Sequence, residues 1–148
     1  ALSSAASDVY KRQGKIMLFM KKTKIKFDED ITNVASKMGI SKPEADVLLF
    51  LSVNSELNRG CDMVEIRGFS KAYVSKGVGK LLQKGYISFK TDTKDRRYQH
   101  IIVNDPAKPI IHELKVVEKR VFKKLWEGIT DDEKKVFYSV IEKMTKNI

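Results

Sequence analysis

Apolar residues recur at every third or fourth position along the first part of the chain, from Gly14 onward. The series comprises Ile16, Met20, Thr23 (a weak member), Phe27, Ile31, Val34 and Met38. This spacing predicts one apolar face of a long helix, and Gly39 is placed to end it. Ser41 and Glu44 then have the spacing of a capping box, with Pro43 in the first turn, so a second helix is expected from Ser41.

The middle of the chain predicts two short helices joined by a tight turn. Cys61 or Asp62 is placed to cap the first of them, and Gly68 ends it. Ser70 is placed to cap the second, whose apolar positions are Val74, Val78, Leu81 and Leu82. Two short helices around a glycine-containing turn are typical of a helix-turn-helix. Two glycines inside the second helix each cost about 1 kcal/mol relative to alanine; they are Gly77 and Gly79.

A β-hairpin is predicted directly after this helix. Gly85 ends the helix, and residues 86–90 alternate between apolar and polar positions as a strand does. The charged tip covers residues 91–97, and residues 98–103 form the return strand. A recognition helix followed by a basic hairpin is the layout with which winged helices hold duplex DNA.

Two further helices are predicted in the C-terminal part. Pro109 suits the first turn of the fifth helix, which Gly128 ends. Thr130 and Glu133 have capping-box spacing at the start of the sixth. The side chains expected to be buried on that helix are Val136, Phe137, Val140, Ile141 and Met144. The predicted order of elements is therefore α-α-α-α-β-β-α-α.

The predicted fold class is mainly α with a small β-wing. A winged helix-turn-helix core, at about residues 41–104, is flanked by helices at about residues 14–38 and 107–148. The flanking helices carry more apolar surface than a small core needs, which predicts that they form an interface between subunits. Residues 14–148 are expected to form a single domain.

Residues 1–13 differ in composition from the rest of the chain. Residues 2–13 read LSSAASDVYKRQ, which is rich in serine and alanine and has no apolar periodicity. They resemble a translated sequencing-library adaptor, and an artefact of that kind places the natural start near Gly14. The alternative is an ordinary disordered tail. The segment lacks the apolar region of a secretion signal.

Positive charge dominates the chain and is concentrated in the predicted helix-turn-helix and hairpin. Lysine and arginine number 29 against 19 acidic residues, a net charge of +10, which favours a polyanionic partner or an anionic membrane surface. The clustering between Asn58 and Gln99 favours nucleic acid. The basic residues there are Arg59, Arg67, Lys71, Lys76, Lys80, Lys84, Lys90, Lys94, Arg96 and Arg97, and the acidic ones are Asp62, Glu65, Asp92 and Asp95.

The sequence lacks the motifs of disulfide-bonded, metal-binding, catalytic and membrane-spanning proteins. The single cysteine, Cys61, excludes an intrachain disulfide framework and a cysteine-based zinc site, and we expect a small buried residue there rather than a redox sensor. His100 and His112 have no metal-ligating neighbours at helical spacing. No phosphate-binding loop, GxSxG or HExxH motif occurs, so neither an enzyme nor a cofactor or metal is expected. No apolar run approaches the roughly 18 residues of a membrane span, and a reducing, cytoplasmic location fits.

Three segments resemble the MarR family of winged helix-turn-helix transcriptional regulators. They read SKPEADVLLFL (41–51), YVSKGVGKLLQKGY (73–86) and DRRYQHIIV (95–103), and the resemblance extends over roughly residues 16–148. The Asp-x-Arg of the family's wing matches Asp95 and Arg97, whereas the family's Leu-Thr exit from the wing is replaced by Val103 and Asn104.

The resemblance to the MarR family carries functional implications. It implies a homodimer whose two recognition helices enter successive major grooves of a pseudo-palindromic operator. It also implies repression that is relieved by a small ligand bound between the dimer and DNA-binding regions.

The predicted DNA contacts lie on the recognition helix, residues 70–84, and on the wing, residues 86–103. Helix N-termini favour phosphate, polar side chains read base edges in the major groove, and arginine enters a narrow minor groove. The predicted contacts are Ser70, Lys71, Ala72, Tyr73, Ser75, Lys76, Lys80, Lys90, Lys94, Arg96 and Arg97. Lys84 is expected to add a phosphate contact. Phosphate repels a carboxylate, so Asp95 is interpreted as a positioning partner for Arg97 or Arg67.

These features predict a homodimeric, sequence-specific DNA-binding transcriptional regulator, with repression controlled by a small-molecule effector. Its expected partner is double-stranded DNA. The alternative is a winged-helix protein-interaction module without sequence-specific DNA binding. The charge imbalance argues against that alternative, because a wing that contacts protein is expected to expose apolar residues.

Overall fold

The computed structural model describes residues 3–54 and 56–148. The elements are α1 (Ser4–Lys37), α2 (Lys42–Val53), α3 (Gly60–Arg67), α4 (Lys71–Gln83), β1 (Ile87–Thr91), β2 (Gln99–Val103), a 3₁₀ turn (Asp105–Ala107), α5 (Lys108–Leu125) and α6 (Asp131–Thr145). The predicted order of helices and strands is confirmed, as is a mainly α fold with a small antiparallel wing. No helix within the described ranges is long and apolar enough to cross a membrane.

The first helix begins earlier than the sequence pattern indicates. The Ser3 hydroxyl accepts a hydrogen bond from the Ala6 amide at 3.3 Å, and α1 runs without a break from Ser4. Residues 4–13 are therefore helical rather than disordered, because an exposed helix end needs a cap and good helix formers but no apolar face. Residues 1 and 2 lie outside the described part. The artefactual origin of this segment stays a prediction.

Helix α2 lies at the centre of the core. Its predicted start is confirmed, because Glu44 Oε2 accepts hydrogen bonds from the Ser41 amide at 2.8 Å and from the Ser41 hydroxyl at 2.6 Å. It packs against α1, α4 and β2. Large side chains from six elements are fully buried in this core: Ile31, Leu48, Met63, Leu81, Ile87 and Leu114.

The turn between α3 and α4 follows the predicted chemistry with one correction. Gly68 ends α3 with a left-handed φ of 67°, and the Ser70 hydroxyl accepts from the Tyr73 amide at 3.1 Å. The N-cap residue of α3 is Arg59, not Cys61 or Asp62. Asp62 acts from within the first turn, where its carboxylate accepts from the Arg59 amide at 2.9 Å.

Gly77 sets how closely α4 approaches α2. A Cβ atom at this position would lie 2.6 Å from the Pro43 carbonyl oxygen and 3.0 Å from a methyl carbon of Val47. Gly79 is on the opposite side of the helix, and a Cβ there meets nothing within 4 Å. The low helix propensity of Gly77 is therefore offset by close packing of the two helices.

The wing is a two-stranded hairpin with Ile87 opposite Val103 and Phe89 opposite Ile101. Ile87 and Ile101 are buried and fix the hairpin on the core. Asn104 closes the base of the hairpin: its amide donates to Tyr86 O at 2.9 Å and its Nδ2 donates to Gly85 O at 2.9 Å. The hairpin is thus closed although Val103 and Asn104 stand where a Leu-Thr pair was expected.

Packing divides the chain into two units, residues up to Glu118 and residues from Lys119. The expected single domain over residues 14–148 stays a prediction. In the second unit, Thr130 and Glu133 form the predicted capping box at the start of α6. Trp126 contacts Phe137 and Tyr138, with ring centroids 5.3 and 5.6 Å apart.

The expectation that α6 buries its apolar side chains is wrong for the single chain. Val136, Phe137, Val140, Ile141 and Met144 are all exposed. Helical periodicity reveals that a face is apolar but not whether the chain itself covers that face.

We expect Gly77→Ala and Gly79→Ala to have opposite effects on stability. The added methyl of Gly77→Ala must push α2 and α4 apart, which costs about 1–3 kcal/mol. At Gly79, alanine meets open space and should stabilise the helix by about 0.5–1 kcal/mol. Urea denaturation of the two variants and the parent measures both values. Equal effects of the two changes would contradict the close α2–α4 contact.

Candidate nucleic-acid interface

Helix α4 presents one exposed face and one buried face. Val74, Gly77 and Leu81 face the core. The opposite side is exposed, and it carries the predicted contacts Lys71, Ala72, Ser75, Lys76 and Lys80. Ser70 is also exposed, at the N-terminal end of this face. A face of this composition suits the major groove, since lysine and serine donate to phosphates and base edges.

Tyr73 differs from its neighbours on α4, because its side chain turns towards the protein. It is half-buried, its hydroxyl donates to Asp46 Oδ2 at 2.7 Å, and its ring lies 5.3 Å from that of Phe69. Burial raises the pKa of the Tyr73 hydroxyl above its usual value, and the hydrogen bond and charge of Asp46 raise it further. The sequence predicts Tyr73 as a DNA contact and does not reveal the bond to Asp46.

Two carboxylates organise the tip of the wing. Asp92 Oδ1 accepts from the amides of Lys94 and Asp95 at 2.7 and 2.8 Å. Asp95 in turn accepts from the Arg97 amide at 3.0 Å and pairs with the Arg97 guanidinium at 2.7 Å. The hydrogen bond from Arg97 lowers the pKa of Asp95. The predicted pairing of Asp95 with Arg97 is thus present, and Arg97 still has 85% of its side chain exposed.

Contacts that the sequence does not reveal fasten the wing to the loop before α3. His100 Nε2 lies 2.8 Å from Asp92 Oδ2, and His100 Nδ1 contacts Asn58 Oδ1. The Ile101 amide donates to Asn58 O at 2.8 Å. The hydrogen bond to His100, followed by those from the tip amides, lowers the pKa of Asp92 to about 2. Asn58 and His100 are 42 positions apart, so no local pattern indicates the pair.

The basic residues of α4 and the wing differ in whether a carboxylate neutralises them. Within the described ranges, those without an ion pair are Lys71, Lys76, Lys80, Lys90, Lys94 and Arg96. All six are exposed. This concentration of unpaired positive charge on one helix face and one hairpin attracts a polyanion.

Lys84 has partners within the protein that the sequence does not reveal, and its expected phosphate contact stays a prediction. Its ammonium group pairs with Glu44 Oε1 at 2.7 Å and donates to Gly39 O at 2.9 Å. Glu44 is only 1% exposed. Burial raises the pKa of Glu44, but hydrogen bonds from Lys84 and Ser41 outweigh it and the net pKa is lowered. Lys84 therefore compensates a buried carboxylate.

Cys61 is exposed rather than the small buried residue expected. It lies on the outward side of the first turn of α3, and its Sγ is 3.8 Å from Asp62 Oδ1. Within the described ranges, no group of three histidine, cysteine, aspartate or glutamate side chains can hold a metal ion.

A cavity of about 660 Å³ lies between α1, α2 and the beginning of α4. Its walls combine aromatic rings with charged groups, namely Phe27, Asp28, Asp46, Arg67, Phe69 and Tyr73. Small-molecule sites are typically lined by apolar and aromatic side chains with a few polar groups, and this cavity has the aromatic rings but a larger share of charged groups.

The fold of this chain is similar to that of solved MarR-family regulators, and part of its sequence is similar to one curated protein. No family model matches the sequence. The chain is 29% identical over 86 residues to the uncharacterized HTH-type transcriptional regulator YwaE of Bacillus subtilis (strain 168). The matched segment covers 58% of this chain and 50% of that protein. The chain thus spans half the length of that curated relative.

Solved structures match over nearly the whole chain. A MarR-family regulator from Silicibacter pomeroyi has a TM-score of 0.79 at 18% identity, covering 92% of this chain and 91% of that one. A putative MarR-family regulator from Listeria monocytogenes, solved in complex with a 26mer DNA, has a TM-score of 0.78 at 13% identity, covering 89% and 87%. At these identities the likeness shows the fold.

We expect Lys84→Met to destabilise the protein in a pH-dependent manner. It leaves the buried Glu44 carboxylate without its cation, which costs about 1–3 kcal/mol. Glu44 has a lowered folded-state pKa, so its contribution is complete above the unfolded value of 4.5 and is lost as the pH falls through the folded value. The difference from the parent should therefore be largest near neutral pH and shrink below 4.5.

Urea denaturation at several pH values measures this dependence, with Lys80→Met as the matched control. Lys80 is exposed on the same helix, and its loss should change stability by no more than about 0.5 kcal/mol. A pH-independent loss for Lys84→Met would contradict the ion pair.

Proposed function

The chain has the fold of MarR-family transcriptional regulators, and we propose that it is a homodimeric, sequence-specific DNA-binding regulator acting as a ligand-responsive repressor. The observation that carries this proposal is the set of six exposed basic side chains on α4 and the wing that lack a carboxylate partner within the described ranges. Neutralising DNA phosphates is the strongest attraction open to such a surface.

Helix α4 and the wing would divide the recognition of DNA between them. The exposed face of α4 is proposed to enter the major groove, where side chains such as Ser75 and Lys76 reach base edges. Arg96 and Arg97 are proposed to enter the adjacent minor groove and favour its narrow A·T-rich form. Asp95 supports this assignment because the hydrogen bonds it accepts from the Arg97 amide and guanidinium limit the positions that Arg97 can take.

The proposed homodimer rests on apolar surfaces that the single chain leaves uncovered. In α1, Ile16, Met17, Leu18, Phe19 and Met20 are all exposed, and α6 exposes its apolar face as well. Apolar surface of this extent favours a second subunit. Two copies of α4 about one helical turn of DNA apart, roughly 34–36 Å, would read the two halves of a pseudo-palindrome.

The cavity between α1 and the beginning of α4 is the proposed effector site. A small molecule bound there touches both the proposed dimer helix and the DNA-reading helix. It would relieve repression only if it binds more tightly to a state in which the two α4 helices no longer match the operator.

One observation favours the alternative of a protein-interaction module. The wing exposes Phe89, Tyr98 and Ile102, by 44%, 43% and 39%, although few exposed apolar residues are expected on a DNA-binding wing. The Arg59 guanidinium covers the Tyr98 ring, 5.0 Å from its centroid. The unpaired positive charge around these residues makes DNA the better-supported partner. We propose no catalytic activity, and the matched proteins are described as transcriptional regulators.

Selection of bound duplexes from a random DNA pool tests the proposed function with the full chain. A pseudo-palindromic motif whose affinity falls steeply with salt is the expected result, and a sizing run should give the mass of a dimer. No enriched motif together with a flat salt dependence would favour the protein-interaction alternative. A monomer in the sizing run would contradict the dimer.

We expect Lys71→Glu combined with Lys76→Glu to abolish binding to the selected duplex. Each lost phosphate contact should reduce the slope of log affinity against log salt by about 0.9. The matched control is Lys143→Glu with Lys146→Glu, which makes the same change in charge on exposed positions at the end of α6. Fluorescence anisotropy measures affinity, and sizing confirms that both variants keep the parent's assembly state. An equal loss in the control would show only an effect of net charge.

We expect Arg97→Ala to weaken operator binding by about 1–3 kcal/mol and to lower the preference for A·T pairs at the wing positions, because a small side chain cannot fill the minor groove. Arg120→Ala, an exposed arginine on α5, is the control. Repeating the duplex selection with each variant measures the preference. An unchanged affinity and motif for Arg97→Ala would overturn the assignment of the wing.

A further inference from the structure

A continuous chain of charged and hydrogen-bonded side chains links α4 to α1 beneath the proposed DNA-reading face. Tyr73 of α4 donates its hydroxyl to Asp46 of α2 at 2.7 Å. Lys42 Nζ lies 2.6 Å from both oxygens of that carboxylate. Lys42 Nζ also lies 3.2 Å from Asp28 Oδ1 of α1. Four side chains from three helices therefore form one connected network.

The buried member of this network makes the Tyr73 bond costly to break. Asp46 is 5% exposed and its side chain receives hydrogen bonds from Lys42 and Tyr73. A buried carboxylate that loses one of its donors suffers the desolvation penalty of that group.

The position of Tyr73 on α4 gives the bond its effect. It follows Lys71 and Ala72 and precedes Ser75 and Lys76, so it lies in the turn of helix that carries the proposed base contacts. Successive residues are about 100° apart around a helix, so a rotation of α4 moves all these side chains together. A hydroxyl fixed to α2 at this turn restrains such a rotation.

We propose that Tyr73 is a positioning residue through which Asp46 and Lys42 set the orientation of α4 for sequence discrimination, rather than a residue that contacts DNA. The proposal rests on the proposed function and assigns roles to residues of that site. Base contacts need accurate placement of short side chains, whereas long lysines reach phosphates from a range of orientations. Loss of the Tyr73–Asp46 bond should therefore reduce discrimination between sequences and leave phosphate binding intact.

A double-mutant cycle on the full chain tests this proposal. The variants are Tyr73→Phe, which keeps the ring against Phe69, Asp46→Ala, and the two together. The readout is the ratio of the affinity for the selected duplex to that for a scrambled duplex of equal length, with its salt dependence. We expect each single change to lower the ratio roughly ten-fold, about the effect of one mismatched base pair, with an unchanged salt slope.

Coupling within the cycle separates positioning from direct contact. If the two residues act through one bond, the double variant should discriminate no worse than either single variant. Asp46→Asn keeps an acceptor oxygen for the Tyr73 hydroxyl and should restore most of the ratio. A loss of discrimination in Tyr73→Phe alone, with Asp46→Ala unaffected, or additive losses, would overturn the proposal in favour of direct contact. An unchanged ratio in every variant would overturn it as well.

Two controls complete the design. Leu114→Val destabilises the core from α5, where Leu114 is fully buried, without touching the network. If it lowers the ratio as much as Tyr73→Phe does, the effect is one of general stability and the proposal fails. Thermal unfolding of each variant confirms that it is folded at the assay temperature. If the parent binds no duplex, the proposed function fails, and the positioning role fails with it.

Discussion

The docking of α4 on α2 is the constraint on which the rest of the structure depends. Near its N-terminal end α4 is held by the Tyr73 bond to Asp46, and at its C-terminal end by the Lys84 ion pair with Glu44. Between them, Gly77 lets the backbones meet at the Pro43 carbonyl. Two nearly buried carboxylates on one helix thus fix the other helix at both ends. A buried carboxylate that loses its partner destabilises the fold strongly. Rotating α4 would break these bonds, so the outward face of α4 has a defined orientation.

Acidic residues also shape the basic surface that the wing presents. Asp92 accepts hydrogen bonds from tip amides and pairs with His100, and Asp95 holds Arg97. These carboxylates face the chain's own donors, while Lys90, Lys94 and Arg96 remain exposed. The basic side chains of the hairpin are therefore exposed, and its carboxylates hold the hairpin tip by hydrogen bonds within the chain. This arrangement suits a surface that approaches phosphate.

The apolar faces of α1 and α6 show that periodicity in a sequence predicts an apolar helix face but not what covers it. Their periodicity predicts helices, and helices form, but their side chains are exposed to solvent. The same spacing describes a face covered by the chain's own core and one covered by another copy. Only the structure separates the two cases, and it corrects the burial expected for α6 while leaving a surface that suits the proposed dimer.

The sequence by itself determined what depends on neighbouring residues. The helix caps at Ser70 and Thr130, the helix ends at Gly68 and Gly85, the hairpin and the order of elements all follow from local hydrogen bonds and periodicity, and they were predictable for that reason. Tertiary structure alone decided which polar side chains are used internally, because the partners of Tyr73, Lys84 and His100 are 27, 40 and 42 positions away. It likewise placed Cys61 on the surface. A basic residue on a helix looks the same in sequence whether it faces solvent or a buried carboxylate, and only packing distinguishes Lys80 from Lys84.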